Sequence, residues 1–238
     1  METRSINTDP EQILFKSSCK YNTQQNSPFH LWNLGTINIR SGKETGEGSK
    51  IYMVAKEAAR ANLVICCLQE VKYRNSGEKL ITLDSGEKYI FLWYGHKKRR
   101  EAGVGILIRQ CPEVTFDQPD LANPRLMAIN IQIRGFKIRM VNVYSPTNCD
   151  GSETEKDAFY RLLKKSCDKQ DKHQKLVVLG DFNATTAVSL EKNEFDGLQI
   201  INDPICNDNG SRLKSFCREL RLCMSQTYFD HPKDKRYT

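Results

Sequence analysis

Short apolar runs, each closed by a polar residue, recur along the chain and predict most of its elements. Leu176-Val177-Val178-Leu179, with Lys175 before it, has no polar break and reads as a strand buried on both faces. It ends in Gly180-Asp181-Phe182-Asn183-Ala184, so two polar heads stand at the rim of a sheet, where side chains reach a ligand. Leu63 to Leu68 reads as a similar strand with Gln69-Glu70 at its end. His30 to Arg40 carries Leu31, Trp32, Leu34, Ile37 and Ile39 and reads as the first strand, with Asn38 near its end. Tyr89 to Tyr94 and Gly103 to Ile108 predict a strand and its returning neighbour. Met127, Ile129, Ile131 and Ile133 alternate with Ala128, Asn130 and Gln132, a strand with one buried face. Arg134-Gly135 is a two-residue turn from that strand into Phe136 to Tyr144, a hairpin.

Three stretches carry helical spacing instead. Ser49 caps a helix whose apolar face is Ile51, Val54, Ala55 and Ala58. Ser152-x-x-Glu155 is a capping box, followed by an inward face of Ala158, Phe159, Leu162 and Leu163. Asn209 to Arg221 turns Leu213, Phe216, Cys217 and Leu220 inward, and a short strand is expected near Met224 to Phe229. Gly42 to Gly48 reads as a loop. Met1 to Pro28 is polar, with an Asn/Gln/Ser-rich patch at Tyr21 to Ser27, and is expected to be a mostly disordered leader to one domain over residues 29–238. Many antiparallel strands with helices between some of them suggest two packed sheets covered by helices.

Charge and cysteines narrow the class further. The 238 residues carry 36 Lys and Arg against 29 Asp and Glu, a net charge of +7. This excess suits a polyanionic partner, although a solvated basic surface accounts for it equally well. Nine cysteines, an odd number, show no CxxC pair and no Cys-His zinc spacing, which fits thiols in a reducing compartment better than a disulfide framework. Leu63 to Leu68 is far too short to span a bilayer, and the N-terminus has no hydrophobic signal region. A soluble intracellular protein with no membrane partner is the expectation. The sequence does not set an oligomeric state.

Five features end or open elements with groups able to do chemistry: Asn38, Glu70, Tyr144 in Asn-Val-Tyr-Ser-Pro, Asp181 with Asn183, and the helix opening Asn209-Gly210-x-x-Leu213. Singly, each has a structural explanation: a turn cap, a solvated end residue, a half-buried anchor. In this order they resemble the endonuclease/exonuclease/phosphatase family, whose fold is shared by DNase I, exonuclease III and abasic-site endonucleases. The resemblance covers Leu31 to Thr238. It is nearest to the endonuclease domains of LINE-type retrotransposons and to craniofacial development protein 2-like proteins, through Arg100-Glu101-Ala102-Gly103-Val104-Gly105-Ile106, Gly-Asp-Phe-Asn-Ala and Asn-Gly-Ser-Arg-Leu-Lys-Ser-Phe-Cys.

The fold so implied is α/β, a four-layer sandwich of two mixed, mainly antiparallel sheets flanked by helices. The implied activity is Mg²⁺-dependent nicking of duplex DNA in the nucleus, with Mn²⁺ as the alternative ion. A hard cation prefers one or two carboxylates and several waters. Glu70, with Asn38 beside it, is expected to hold it. By resemblance Asp181 orients or deprotonates the attacking water, Asn183 and Tyr144 donate to the phosphate, and Thr238 supports the site. Lys97, Lys98, Arg99 and Arg100 form a basic loop able to meet a DNA backbone, though such runs are more often solvated.

One departure stands out. Members of the family finish with an Asp in an Ile-Asp-His/Tyr context and a terminal Ser-Asp-His, whereas this sequence stops at Lys235-Arg236-Tyr237-Thr238. Asp230-His231 is assigned to a connecting loop, not to that pair. The last strands are expected to be lacking, which leaves an unpaired edge. A missing general acid/base costs ~10²–10⁴-fold in rate. Weak or no nuclease activity and reduced stability are therefore expected. Two other readings compete: a non-catalytic remnant that binds DNA or protein, and a phosphatase or phosphodiesterase acting on a small phosphoester.

Overall fold

Two parallel strand pairs, each joined by a crossover helix, form the frame of the molecule. The computed structural model describes residues 33–42, 44–45, 48–148, 152–186 and 206–225. Asn33–Asn38 (β1) pairs in parallel with Leu63–Gln69 (β4), and the helix Lys50–Arg60 (α1) makes the crossover a parallel pair requires. Phe136–Tyr144 (β11) pairs in parallel with Lys175–Asp181 (β12) through the helix Glu153–Cys167 (α2). Antiparallel strands complete the sheets. Val104–Arg109 (β7), Lys88–Tyr94 (β6) and Ser76–Thr82 (β5) extend the first in the order β1-β4-β7-β6-β5. Leu126–Ile133 (β10) joins β11 in the second, with Val114–Phe116 (β8) and Asp120–Asn123 (β9) on its far side. Glu44–Thr45 (β2) and Gly48–Ser49 (β3) make a small hairpin inside the predicted loop.

Burial divides the core into three slabs, which give four layers. Ile51, Val54, Ala55 and Ala58 of α1, the predicted face, pack on Cys66, Leu68, Phe91 and Leu107 of the first sheet. Ile65, Cys67, Ile106 and Ile108 meet Met127, Ile129, Ile131 and Met140 between the sheets. Leu126, Ala128, Val141 and Val143 face α2 and the third helix, Asp208–Leu220 (α3), through Phe159, Leu163, Leu213 and Phe216. The four-layer α/β sandwich expected from the sequence is thus the observed fold. Cys66 and Cys67 are buried thiols packed as small hydrophobes, and burial pushes the Cys66 thiol up to about 12. No helix among the described residues is long and apolar enough to cross a membrane.

Several local expectations need correction. The first half of β10 is buried on both faces, because α2 and α3 cover Leu126 and Ala128, whereas Asn130 is half-buried and Gln132 exposed, as the alternation predicts. Conversely, β12 is half-buried along most of its length: it ends the order β12-β11-β10-β8 and takes one strand neighbour among the described residues. The polar β5 was missed because only Ile81 in it is buried. Ser49 holds the N-cap position of α1 without a side-chain cap bond. The capping box of α2 is complete, but its inner face is turned: Ala158 is exposed, while Lys156, Phe159, Leu163, Ser166 and Cys167 are buried. The cause is α3 lying alongside, where Lys156 Nζ reaches Asp208 Oδ2 at 3.0 Å. Arg134 and Gly135 both have positive φ, as a two-residue hairpin turn demands. The leader, Leu31, Trp32, Asp230-His231, Thr238 and most of the predicted final strand lie outside the described residues.

Candidate active site

Strand register gathers the polar ends at one mouth of the sandwich. Asn38 is the register partner of Gln69, and Tyr144 that of Asp181, so β1, β4, β11 and β12 finish at the same level. Because β1 packs against β12 across the sandwich, the two sets of ends face each other. Gly180 permits the last step of β12. Its φ is +148°, and a Cβ there would lie 2.0 Å from the Val143 carbonyl oxygen, so only glycine lets β12 close on β11 just before Asp181. Glu70, Lys72 and Asn183 all adopt positive φ, at 53°, 55° and 47°. Such conformations are costly for Glu and Lys and mark a segment held by its surroundings.

One amide ties the carboxylates together. Asn38 Nδ2 donates to Glu70 Oε1 and to Asp181 Oδ2, both at 2.9 Å, while Asn38 Oδ1 accepts the Arg40 N–H at 3.0 Å. Asp181 Oδ1 accepts the Asn183 N–H at 2.9 Å, and Asn183 Nδ2 donates to the Ser145 carbonyl at 2.9 Å. Lys72 Nζ stands 3.1 Å from Glu70 Oε2. The five residues predicted from strand ends (Asn38, Glu70, Tyr144, Asp181 and Asn183) are therefore in one place.

The charges are set by these contacts. Burial alone would raise the Glu70 carboxyl, but hydrogen bonds from Asn38, Lys72 and Tyr144, with the Lys72 charge, outweigh it and hold the group below the usual carboxylate range. The Tyr144 phenol is pushed up to about 12 by burial, then by the Glu70 charge and the hydrogen bond to it. It stays protonated at neutral pH and is a donor. The Arg125 guanidinium lies 4.9 Å from the Tyr144 ring centroid, a cation–π contact, and its Nη1 is buried with no hydrogen-bond partner.

Beneath the mouth runs a buried polar bridge that the sequence reading missed. Asn142 Nδ2 donates across the sandwich to the carbonyls of Leu68 (3.0 Å) and Gly105 (2.7 Å), and its Oδ1 accepts Gln69 Nε2 at 2.7 Å. Gln69 Nε2 also reaches Thr36 Oγ1 at 3.0 Å. Both Gln69 and Asn142 are buried, so the bridge sets how the two sheets sit on each other. The available signal was an amide at the end of one apolar run, in Leu68-Gln69, and an amide inside another, in Val141-Asn142-Val143. Lys72 and Arg125 were also missed.

The basic loop lies between β6 and β7, at the same end of the first sheet, since Gln69 and Tyr94 both pair with Val104. Lys97, Lys98, Arg99 and Arg100 are exposed there, Arg99 pairs with Glu101 at 3.0 Å, and His96 Nδ1 accepts the N–H groups of Lys98 and Arg99. Among the described residues no group of three or more His, Cys, Asp or Glu is arranged to hold a metal. The donor set at the mouth is instead two carboxylates and an amide. Hard oxygens of this kind fit a cation that keeps most of its waters.

Known proteins are similar to this chain. The chain is 28% identical over 206 residues to craniofacial development protein 2 of Bos taurus and, at the same identity, to that of Tragulus javanicus. These matches cover 86% of the chain but 32% and 33% of those proteins, so it spans about a third of their length. Among solved structures it is similar to the endonuclease domain of TRAS1, a telomere-specific non-LTR retrotransposon, at 18% identity and TM-score 0.48, covering 80% of this chain and 71% of that one. The catalytic domain of Xenopus laevis APE2 aligns at 14% identity and TM-score 0.44, covering 77% and 67%. Residues 35–189, which hold Asn38, Glu70, Tyr144, Asp181 and Asn183, match the model of one family, and on that match the chain belongs to the endonuclease/exonuclease/phosphatase family.

Proposed function

We propose that this chain carries a Mg²⁺-dependent phosphodiester hydrolase site that nicks duplex DNA, in a nuclear domain of retrotransposon origin. The observation that carries this reading is the Asn38 amide holding Glu70 and Asp181 from opposing sheets. Glu70 would hold the ion, Mg²⁺ or Mn²⁺, with Asn38 beside it. An Asn38 ligand oxygen would require its amide to turn over and give up the Arg40 bond. When bound, the ion supplies positive charge to the phosphoryl oxygens and acidity to water.

The chain's own residues do the rest. Asp181, fixed through both carboxylate oxygens, orients the attacking water and takes its proton. Asn183 gives one amide hydrogen to Ser145, leaving its second for a phosphoryl oxygen, and the protonated Tyr144 phenol is another donor once its single hydrogen leaves Glu70. Thr238 is assigned a supporting part, and Lys97 to Arg100 follow the DNA backbone. Among the described residues His173 precedes β12 at its other end, and His96 Nδ1 accepts two N–H groups of its own loop, so neither is assigned a part in the reaction.

Incubation with supercoiled plasmid and Mg²⁺ tests the proposal. Metal-dependent nicking that disappears in Asp181→Ala and in Glu70→Gln is expected. Nicking indifferent to Asp181→Ala overturns it. A second reading, a non-catalytic DNA-binding domain, is favoured by Lys72, whose ammonium already neutralises Glu70. DNA binding with no nicking in either metal would select it.

A further inference from the structure

The Asn183 carbonyl is the meeting point of three side-chain amides. Asn148 Nδ2, Asn207 Nδ2 and Asn209 Nδ2 approach it at 3.0, 3.1 and 3.3 Å. Two of the three come from the start of α3, more than twenty residues further along the chain. Asn207 is the N-cap of α3: its Oδ1 accepts the Gly210 N–H at 2.7 Å and also the Thr185 N–H at 3.0 Å. Its backbone N–H donates to the Thr185 carbonyl at 3.1 Å. One side chain thus caps a helix and clasps the loop behind Asp181 at two points.

The clasp has a fitted seat. A Cβ on Gly210 would lie 2.0 Å from the Thr185 carbonyl oxygen, so glycine lets the first turn of α3 come down onto the loop backbone. Asn209 is fully buried, and its Nδ2 also donates to the Pro146 carbonyl at 2.8 Å, joining α3 to the segment after Tyr144. Capping α3 requires only the Asn207 acceptor. Its Nδ2 bond to Asn183 and the second acceptor bond from Thr185 do nothing for the helix.

We infer that Asn207, with Asn209 behind it, is a positioning residue that holds Asn183 in its left-handed conformation. This fixes both the amide that Asn183 offers to the phosphate and the N–H that it gives to Asp181. The inference rests on the phosphate-donor reading of Asn183 given above. Nothing in residues 35–189 of the family match accounts for it, because α3 lies beyond that span.

The test uses two replacements that keep the helix cap. Asn207→Ser retains an acceptor for Gly210 but withdraws the amide nitrogen from the Asn183 carbonyl, its shorter hydroxyl being taken up by the cap; Asn207→Asp retains the acceptor and sets a carboxylate oxygen against that carbonyl. Both are expected to keep Tm near the parent value and KM little changed. Nicking kcat should fall on the order of ten- to a hundred-fold, as a displaced group at a reacting centre does. The Asn183 backbone amide should exchange with solvent several times faster. If the parent chain nicks no DNA in Mg²⁺ or Mn²⁺, the hydrolase reading fails, and exchange at Asn183 alone decides the positioning role. Unchanged exchange in both variants overturns it. So does a loss of kcat that only follows a loss of Tm, which would leave Asn207 a helix cap and nothing more.

Discussion

Asn38 and Asp181 are 143 positions apart and share a 2.9 Å hydrogen bond, one from the first strand of one sheet and the other from the last described strand of the second. The same nitrogen binds Glu70, so the two carboxylates are held near each other by a donor that cannot ionise. This bond couples the assembly of the sandwich to the assembly of the site.

Asn38→Ala should therefore register in stability as well as in function. Without the amide, two like charges face each other with fewer donors, and the metal-free protein should lose about 1–2 kcal/mol. Urea denaturation measures the loss. Added Mg²⁺ should recover less stability in the variant than in the parent, because a residue beside the ion is gone, and equal gains would count against the place of Asn38 there.

The Asn142 bridge predicts a larger effect. Asn142→Leu removes the partner of Gln69 and of the Leu68 and Gly105 carbonyls, all enclosed in protein. A cost of at least ~2 kcal/mol is expected from the orphaned groups. Adding Gln69→Leu should cost less than the sum of the single changes, because one unsatisfied amide leaves with it. Additive losses in a denaturation cycle would refute the coupling.

The acid limb of stability should depend on Asp120. Its carboxyl is held below the usual range by the hydrogen bond from Lys169 first and by that from Arg139, against some opposition from burial. Arg139 is buried and also donates to the Ser166 carbonyl. The folded value lies below the unfolded one. The contribution is thus complete above the unfolded value of about 3.9 and is lost as pH falls through the folded value. Asp120→Asn should lower Tm at neutral pH and flatten its fall in acid. Parallel Tm curves from about pH 2 to pH 7 would show that Asp120 titrates alike in both states.

For the basic loop, replacing Lys97, Lys98, Arg99 and Arg100 with Ala should leave Tm unchanged, since all four are exposed. The slope of log K for DNA against log salt should become shallower by about 0.9 for each phosphate contact removed. An unaltered slope would mark the loop as solvated surface.

The sequence by itself determined what local spacing encodes. The buried face of α1, the capping box of α2, the Arg134-Gly135 turn and the polar residues that end each strand are all written within a few neighbouring positions. Tertiary structure decided what depends on a distant neighbour. It left β12 half-buried where an unbroken apolar run had suggested full burial, and turned the face of α2 toward α3 so that Lys156 rather than Ala158 went inside. It also set the Asn142 bridge, the Lys72 contact with Glu70 and the grip of Asn207 on Asn183. Periodicity reports which side of an element meets an apolar layer. Which polar head meets which depends on how two sheets stack, and only the folded chain fixes that geometry.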